Sequence, residues 1–222
     1  MMEPMDRRRM KLAMRLLGVA AALLMCGPTA GVAQAAVAAP AGDVIALGDP
    51  HALGVVDLYV DPMCPFSGKM VQEQGEEIGQ RLEDGRLRVN LRFVDFLDKY
   101  SASKTYDIRA TYATFVVADQ SRSSEITWRY VQQIFSAEQQ PQEGGPTDLD
   151  NNQLAGLANR VGAPPPAQDL IRLGLPIGFD AHAITANNLA LLRQFPEPGV
   201  PTIVINGGPV DGNSDWLHQL PG

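Results

Sequence analysis

Two short stretches hold the side chains best suited to chemistry: Cys64-Pro65-Phe66-Ser67, and Gly199-Val200-Pro201-Thr202 far downstream. A cysteine acts on disulfides as its thiolate, so its surroundings decide whether it reacts. Before Cys64 runs Gly54-Val55-Val56-Asp57-Leu58-Tyr59-Val60, a β-rich segment closed by Asp61-Pro62, which predicts a buried strand. After it, Phe66 to Leu82 places Met70, Val71, Ile78 and Leu82 among Glu and Gln, which predicts a helix with one covered face. Cys64 therefore falls where a strand ends and a helix starts, with Pro65 suited to the first helical turn. There a sulfur meets unpaired backbone N–H groups and the positive end of the helix dipole, and both favour thiolate. The competing reading is a buried, inert cysteine. Ser67 has two readings: a hydroxyl donor that lowers the thiol pKa, or an exposed first-turn residue. Asp57 is either a buried proton acceptor under Cys64 or a solvent-facing strand residue, and Asp61 suits a turn before Pro62. Pro201 stands where proline is tolerated, at the first residue of a strand.

The elements that must position these residues follow from periodicity. Val44 to Leu47 is a candidate edge strand, and Leu87 to Phe93 alternates apolar and polar residues, a clear strand. Strand, helix and strand over roughly 54–94 make a βαβ unit, the crossover that parallel strands require. Residues 100–195 carry helical signal only: Tyr106 to Asp119, Ser124 to Phe135 with a Ser/Glu start, Asp150 to Val161, a short turn at Ala167 to Leu173 after three prolines, and Asp180 to Gln194. Ala137 to Thr147 is a Gln/Pro/Gly loop. Pro201 to Ile205 is a strand, Asn206-Gly207-Gly208 is hairpin chemistry, and Ser214 to Leu220 is a short terminal helix.

The first 35 residues follow a different logic. Arg7, Arg8, Arg9, Lys11 and Arg15 precede an apolar run, Leu16 to Met25, and small residues including Ala33-Gln34-Ala35. This is the pattern of a secretory signal peptide, and the run falls short of the ~20 residues that span a bilayer. We expect a signal over 1–35, a flexible lead-in over 36–42 and one domain over 43–222. The alternative is an uncleaved N-terminal anchor. The chain has 18 basic and 25 acidic residues. Five basic and two acidic residues lie in 1–35, so 13 basic and 23 acidic residues remain, a net charge of about −10 with no electrostatic reason to bind nucleic acid. Export would place the domain in an oxidising compartment and remove Cys26 with the signal, leaving Cys64 unpaired within the chain. His51, His182 and His218 are scattered, so no metal site is expected, and no phosphate-binding motif or other cofactor site is evident.

The two opening stretches carry a resemblance. Val56-Asp57-Leu58-Tyr59-Val60-Asp61-Pro62-Met63-Cys64-Pro65-Phe66-Ser67 resembles the active-site strand and helix start of DsbA-like thioredoxin-fold proteins. Gly199-Val200-Pro201-Thr202-Ile203-Val204-Ile205-Asn206-Gly207 resembles their cis-proline loop and following strand. The block 100–195 is similar in size and place to their helical insertion, and Trp128 to Phe135 to an aromatic helix within it. The resemblance implies an α/β thioredoxin fold, a central mixed sheet flanked by helices with a DsbA-type insertion. It implies Cys64 as the attacking cysteine, Pro201 as a cis-proline opposite it, Val200 as a residue whose backbone contacts a bound peptide, and Pro65 and Phe66 as the pair that tunes thiol acidity.

Ser67 departs from the family pattern, which has a second cysteine there. A lone thiol cannot store a disulfide; it can form a mixed disulfide that an external thiol must release. The expected function is monothiol disulfide exchange, reductase or isomerase in type, on thiol- or disulfide-containing proteins or small thiols. The alternative is a redox-inactive, peptide-binding or chaperone-like domain on the same fold.

Overall fold

A computed structural model describes residues 36–212 and 214–221. Residues 1–35, with the expected signal and Cys26, lie outside the described residues. Six strands form one sheet: β1 (Val37–Ala41), β2 (Val44–Gly48), β3 (Gly54–Val60), β4 (Leu87–Phe93), β5 (Thr202–Ile205) and β6 (Gly208–Val210), in the spatial order β1-β2-β4-β3-β5-β6. β3 and β4 run parallel in register from Gly54↔Leu87 to Val60↔Phe93, joined by helix α1 (Pro65–Glu83). This is the βαβ unit anticipated from periodicity. β5 lies antiparallel on the other side of β3, and β2 lies antiparallel on the outer side of β4. β3 is thus the central strand, and its C-terminal end delivers Cys64.

The strand alternation explains the core. In β4, Leu87, Val89, Leu91 and Phe93 are buried while Arg88, Asn90 and Arg92 are half-buried on the opposite face. In α1, Met70, Val71, Ile78 and Leu82 are buried, as the helical spacing predicts. Helix α3 (Ser124–Ile134) packs on α1 through Trp128, whose Nε1 donates to the Gly75 carbonyl at 2.7 Å. A Cβ at Gly79 would sit 3.2 Å from the Trp128 ring, so small residues on this face set the closeness of the two helices.

Between β4 and β5 come α2 (Tyr106–Ser121), α3, α4 (Asn151–Arg160), α5 (Pro165–Leu173) and α6 (Ala181–Leu192). Their starts follow the side-chain chemistry. Ser123 caps α3, Asp150 and Gln153 form a reciprocal capping box on α4, and Asp180 caps α6. The insertion shares the main core, with Phe115, Val116, Tyr130 and Leu157 fully buried. No helix among the described residues is long and apolar enough to cross a membrane.

Three expectations need correction. Residues 37–41, expected to be part of a flexible lead-in, form edge strand β1, paired with β2 from Val37↔Gly48 to Ala41↔Val44. An Ala/Pro stretch has little intrinsic strand preference. Here Ala38 N–H donates to the Arg122 carbonyl and Ser124 N–H to that of Ala36, so the α2–α3 turn holds the strand in place. Consequently β2 is an inner strand, flanked by β1 and β4, rather than the edge. The chain's end is a short 3-10 turn at Trp216–Gln219. It is anchored where Arg81 Nη1 donates to Leu217 O and Trp216 Nε1 to Gln74 Oε1. The β5–β6 hairpin turns at Asn206-Gly207, both with positive φ, as that pair favours.

Candidate functional site

Cys64 is the N-cap residue of α1, in extended conformation, with Pro65 at the first helical position. Among the described residues it is the one free cysteine. Its side chain lies only 4% exposed, against the loop that leads into β5. There the Val200–Pro201 peptide bond is cis, and the Cys64 thiol donates to the Val200 carbonyl oxygen at 3.4 Å. Residues 136 positions apart are brought together because β3 and β5 pair side by side, Tyr59 opposite Thr202.

Opposing forces act on the thiol. Burial is the largest and pushes the Cys64 pKa up. The backbone N–H groups of Ser67 and Phe66 and the Ser67 hydroxyl pull it down, and the charge of Asp61 adds to the rise. The net direction is up. The S–H···O=C bond to Val200 acts the same way, because it stabilises the neutral thiol. The helix start does pull the thiol toward ionisation, but burial exceeds it.

Ser67 is fully buried, which removes the reading of an exposed first-turn residue. Its Oγ has no partner of good hydrogen-bond geometry, yet it lies close enough to Cys64 to favour the thiolate. Phe66 is 69% exposed and, with Lys69, Met70, Glu73, Gln74, Val200 and Pro201, borders a groove of about 560 Å³ on the Val200–Pro201 side of the site. The sequence-predicted residues Cys64, Pro65, Phe66, Ser67, Val200 and Pro201 therefore meet at one end of the sheet.

Three features escaped sequence reasoning. Gln140, in the loop after α3, donates through Nε2 to the carbonyls of Pro62 (3.1 Å) and Cys64 (3.0 Å), clamping the turn that carries the cysteine. Gly68 makes room for it: a Cβ there would lie 2.0 Å from Gln140 Oε1. The acid that acts on the thiol is Asp61, not a simple turn residue but fully buried, its carboxylate accepting from Met63 N–H (2.9 Å) and Leu97 N–H (3.1 Å). Asp57 instead pairs with Arg92 at 2.7 Å, half-buried on the opposite face of β3. The third is Asp107 in α2, also fully buried and adjacent to Asp61. No local signal marks Gln140 or Asp107, because their partners come from distant segments.

A family model described as Thioredoxin matches residues 41–218. The serine/threonine-protein kinase PknE of Mycobacterium tuberculosis is 31% identical over 182 residues, 81% of this chain but 32% of that protein. The chain thus spans about a third of the length of the curated relatives it matches. Among solved structures, the MdbA thiol-disulfide oxidoreductase of Corynebacterium matruchotii superposes with a TM-score of 0.70 at 22% identity, covering 85% of this chain and 92% of that one. Oxidised DsbA of Mycobacterium tuberculosis gives 0.59 at 25% identity, covering 79% and 85%. The reduced disulfide bond oxidoreductase DsbG of the same organism gives 0.58 at 26% identity, covering 82% and 83%.

Proposed function

Because the chain belongs to the DsbA-like thioredoxin-fold family, we propose that it carries out thiol–disulfide exchange outside the cytoplasm with Cys64 as its single nucleophile. The observation that carries this reading is the placement of Cys64 Sγ at the start of α1, against the carbonyl of Val200, which itself borders the groove. An extended peptide in that groove can donate a backbone N–H to Val200 O, in the manner of strand addition. This would displace the thiol's own hydrogen bond and free the sulfur to ionise.

The Cys64 thiolate then attacks one sulfur of a substrate disulfide. A bond forms between Cys64 and that sulfur, the substrate S–S bond breaks, and the other substrate sulfur leaves as a thiolate that takes a proton from water. Ser67 holds no sulfur, so an external thiol completes the cycle. It attacks the mixed disulfide at the substrate sulfur, forms a new disulfide with it, and returns Cys64 as thiolate. No net electrons stay on the protein. This chemistry suits reduction, isomerisation or uncapping of protein thiols. The short apolar run and A-x-A pattern within 1–35 support export by a signal peptide, with an uncleaved anchor as the alternative.

The test is incubation of the mature domain with a glutathione-capped peptide at neutral pH. Mass spectrometry should find a mixed disulfide on Cys64 that added glutathione releases and that Cys64→Ser abolishes. Absence of any Cys64 adduct after prolonged incubation would refute exchange. One observation favours a second reading, a peptide-binding domain without redox activity: burial holds the thiol neutral. In that case Cys64→Ala binds peptides as well as the native chain, and no adduct forms.

A further inference from the structure

Asp61 and Asp107 come from different elements, the turn after β3 and the first turn of α2, yet both are fully buried and adjacent. Their hydrogen bonding is unequal. Asp61 receives two backbone N–H donors, from Met63 and Leu97. Neither carboxyl oxygen of Asp107 has a donor among the described residues, although the Asp107 N–H itself donates to Asp98 Oδ1 at 2.9 Å. An ionised carboxylate is an acceptor only. Two such groups side by side in a water-poor interior, one without a donor, cannot both be charged.

We propose that Asp107 is a carboxylic acid at neutral pH, that its proton is donated to the Asp61 carboxylate, and that this one-proton pair is a positioning device that sets the nucleophilicity of Cys64. The proposal deepens the exchange reading above and rests on it for its biological use. The pair works through charge. Of the two, Asp61 is the acid that ionises first, and its charge, once present, raises the Cys64 pKa. Asp107 keeps its proton and so adds no second charge beside Asp61. The titratable groups acting on the pair are Asp95 and Asp98 from the segment after β4, Tyr106 beside Asp107 on α2 and Cys64 at the head of α1. The acids among them all disfavour a second ionisation. In keeping with the unequal bonding, burial and its neighbours push Asp107 up to about 11, while Asp61, helped by its two N–H donors, is pushed up to about 7.

The helical insertion thereby reaches the active site: a residue of α2 fixes the charge on the turn that presents the cysteine. No proton passes to the substrate in this scheme. The pair sets how much thiolate exists at a given pH and how basic that thiolate is.

The test is the pH profile of iodoacetamide alkylation of Cys64 in the mature domain, which needs no disulfide substrate. Asp61→Asn should move the midpoint down and raise the rate below it, lower intrinsic nucleophilicity offsetting part of the gain in thiolate. Asp107→Asn keeps an N–H donor toward Asp61 and should leave the midpoint unchanged. Infrared difference spectra at neutral pH should show a protonated-carboxyl band in the native chain that Asp107→Asn removes; this arm decides the matter even where Asp61→Asn fails to fold. An unchanged midpoint in folded Asp61→Asn, a downward shift in Asp107→Asn, or absence of the infrared band would overturn the proposal. These results are separable from failure of exchange, which appears as absence of the mixed disulfide while alkylation proceeds.

Discussion

Replacing Asp107 by asparagine should stabilise the protein, and increasingly so as pH rises. A buried acid whose folded pKa lies above its unfolded value contributes fully to stability below the unfolded pKa and loses that contribution as pH climbs toward the folded one. For Asp107 the unfolded value is about 3.9, and the folded value is pushed up to about 11 by burial and by Asp61. Above about pH 4 unfolding releases the Asp107 proton, so wild-type stability falls by about 1.4 kcal/mol per pH unit on this account. At pH 7 the loss reaches about 4 kcal/mol, a large share of the roughly 5–15 kcal/mol that holds a domain together. The asparagine of the Asp107→Asn variant has no proton to release and can still donate to Asp61. Asp61 titrates in both proteins, so the difference between them reports mainly Asp107. The assay is urea unfolding of the native chain and its Asp107→Asn variant at half-unit steps from pH 4 to pH 8, with the two free energies compared at each pH. The difference should widen steadily in favour of the variant. Curves that stay parallel across this range would mean that native Asp107 is already ionised, and the argument from its orphaned oxygens would fall.

Two other changes probe the cysteine's surroundings. Ser67→Cys places a second sulfur in the buried first turn beside Cys64, so oxidant should produce an internal disulfide, seen as a mass lower by a pair of hydrogens, together with dithiol oxidase activity; a variant that keeps both thiols under oxidant would contradict that proximity. Gln140→Ala strips the donors from the Pro62 and Cys64 carbonyls and should cost about 1–3 kcal/mol in urea unfolding. Gly68→Ala forces Gln140 out of the same position, so the double variant should lose little more than either single change, whereas full additivity would show that the clamp is not shared.

Most of the fold was legible because its signals are local. The period-two run of β4, the amphipathic spacing of α1, the caps at Ser123, Asp150 and Asp180 and the Asn206-Gly207 turn each act within a few residues. β1 was not legible, because Ala and Pro carry no strand preference there and its hydrogen bonds come from β2 and from the α2–α3 turn.

The candidate site divides the same way. Sequence by itself determined that one cysteine stands at a strand-to-helix junction, that a serine occupies the position three further on, and that a Val-Pro pair opens a late strand. Those are facts of order and spacing. Only the tertiary structure decided what they amount to. It set the Val200 carbonyl 3.4 Å from the sulfur, buried the thiol so that desolvation outweighs the helix start, and turned Asp61 inward against an acid from α2. The physical reason is that pKa and hydrogen bonding depend on what surrounds a group in space, and here those surroundings come from Gln140, Asp107 and Val200, none of them near Cys64 along the chain.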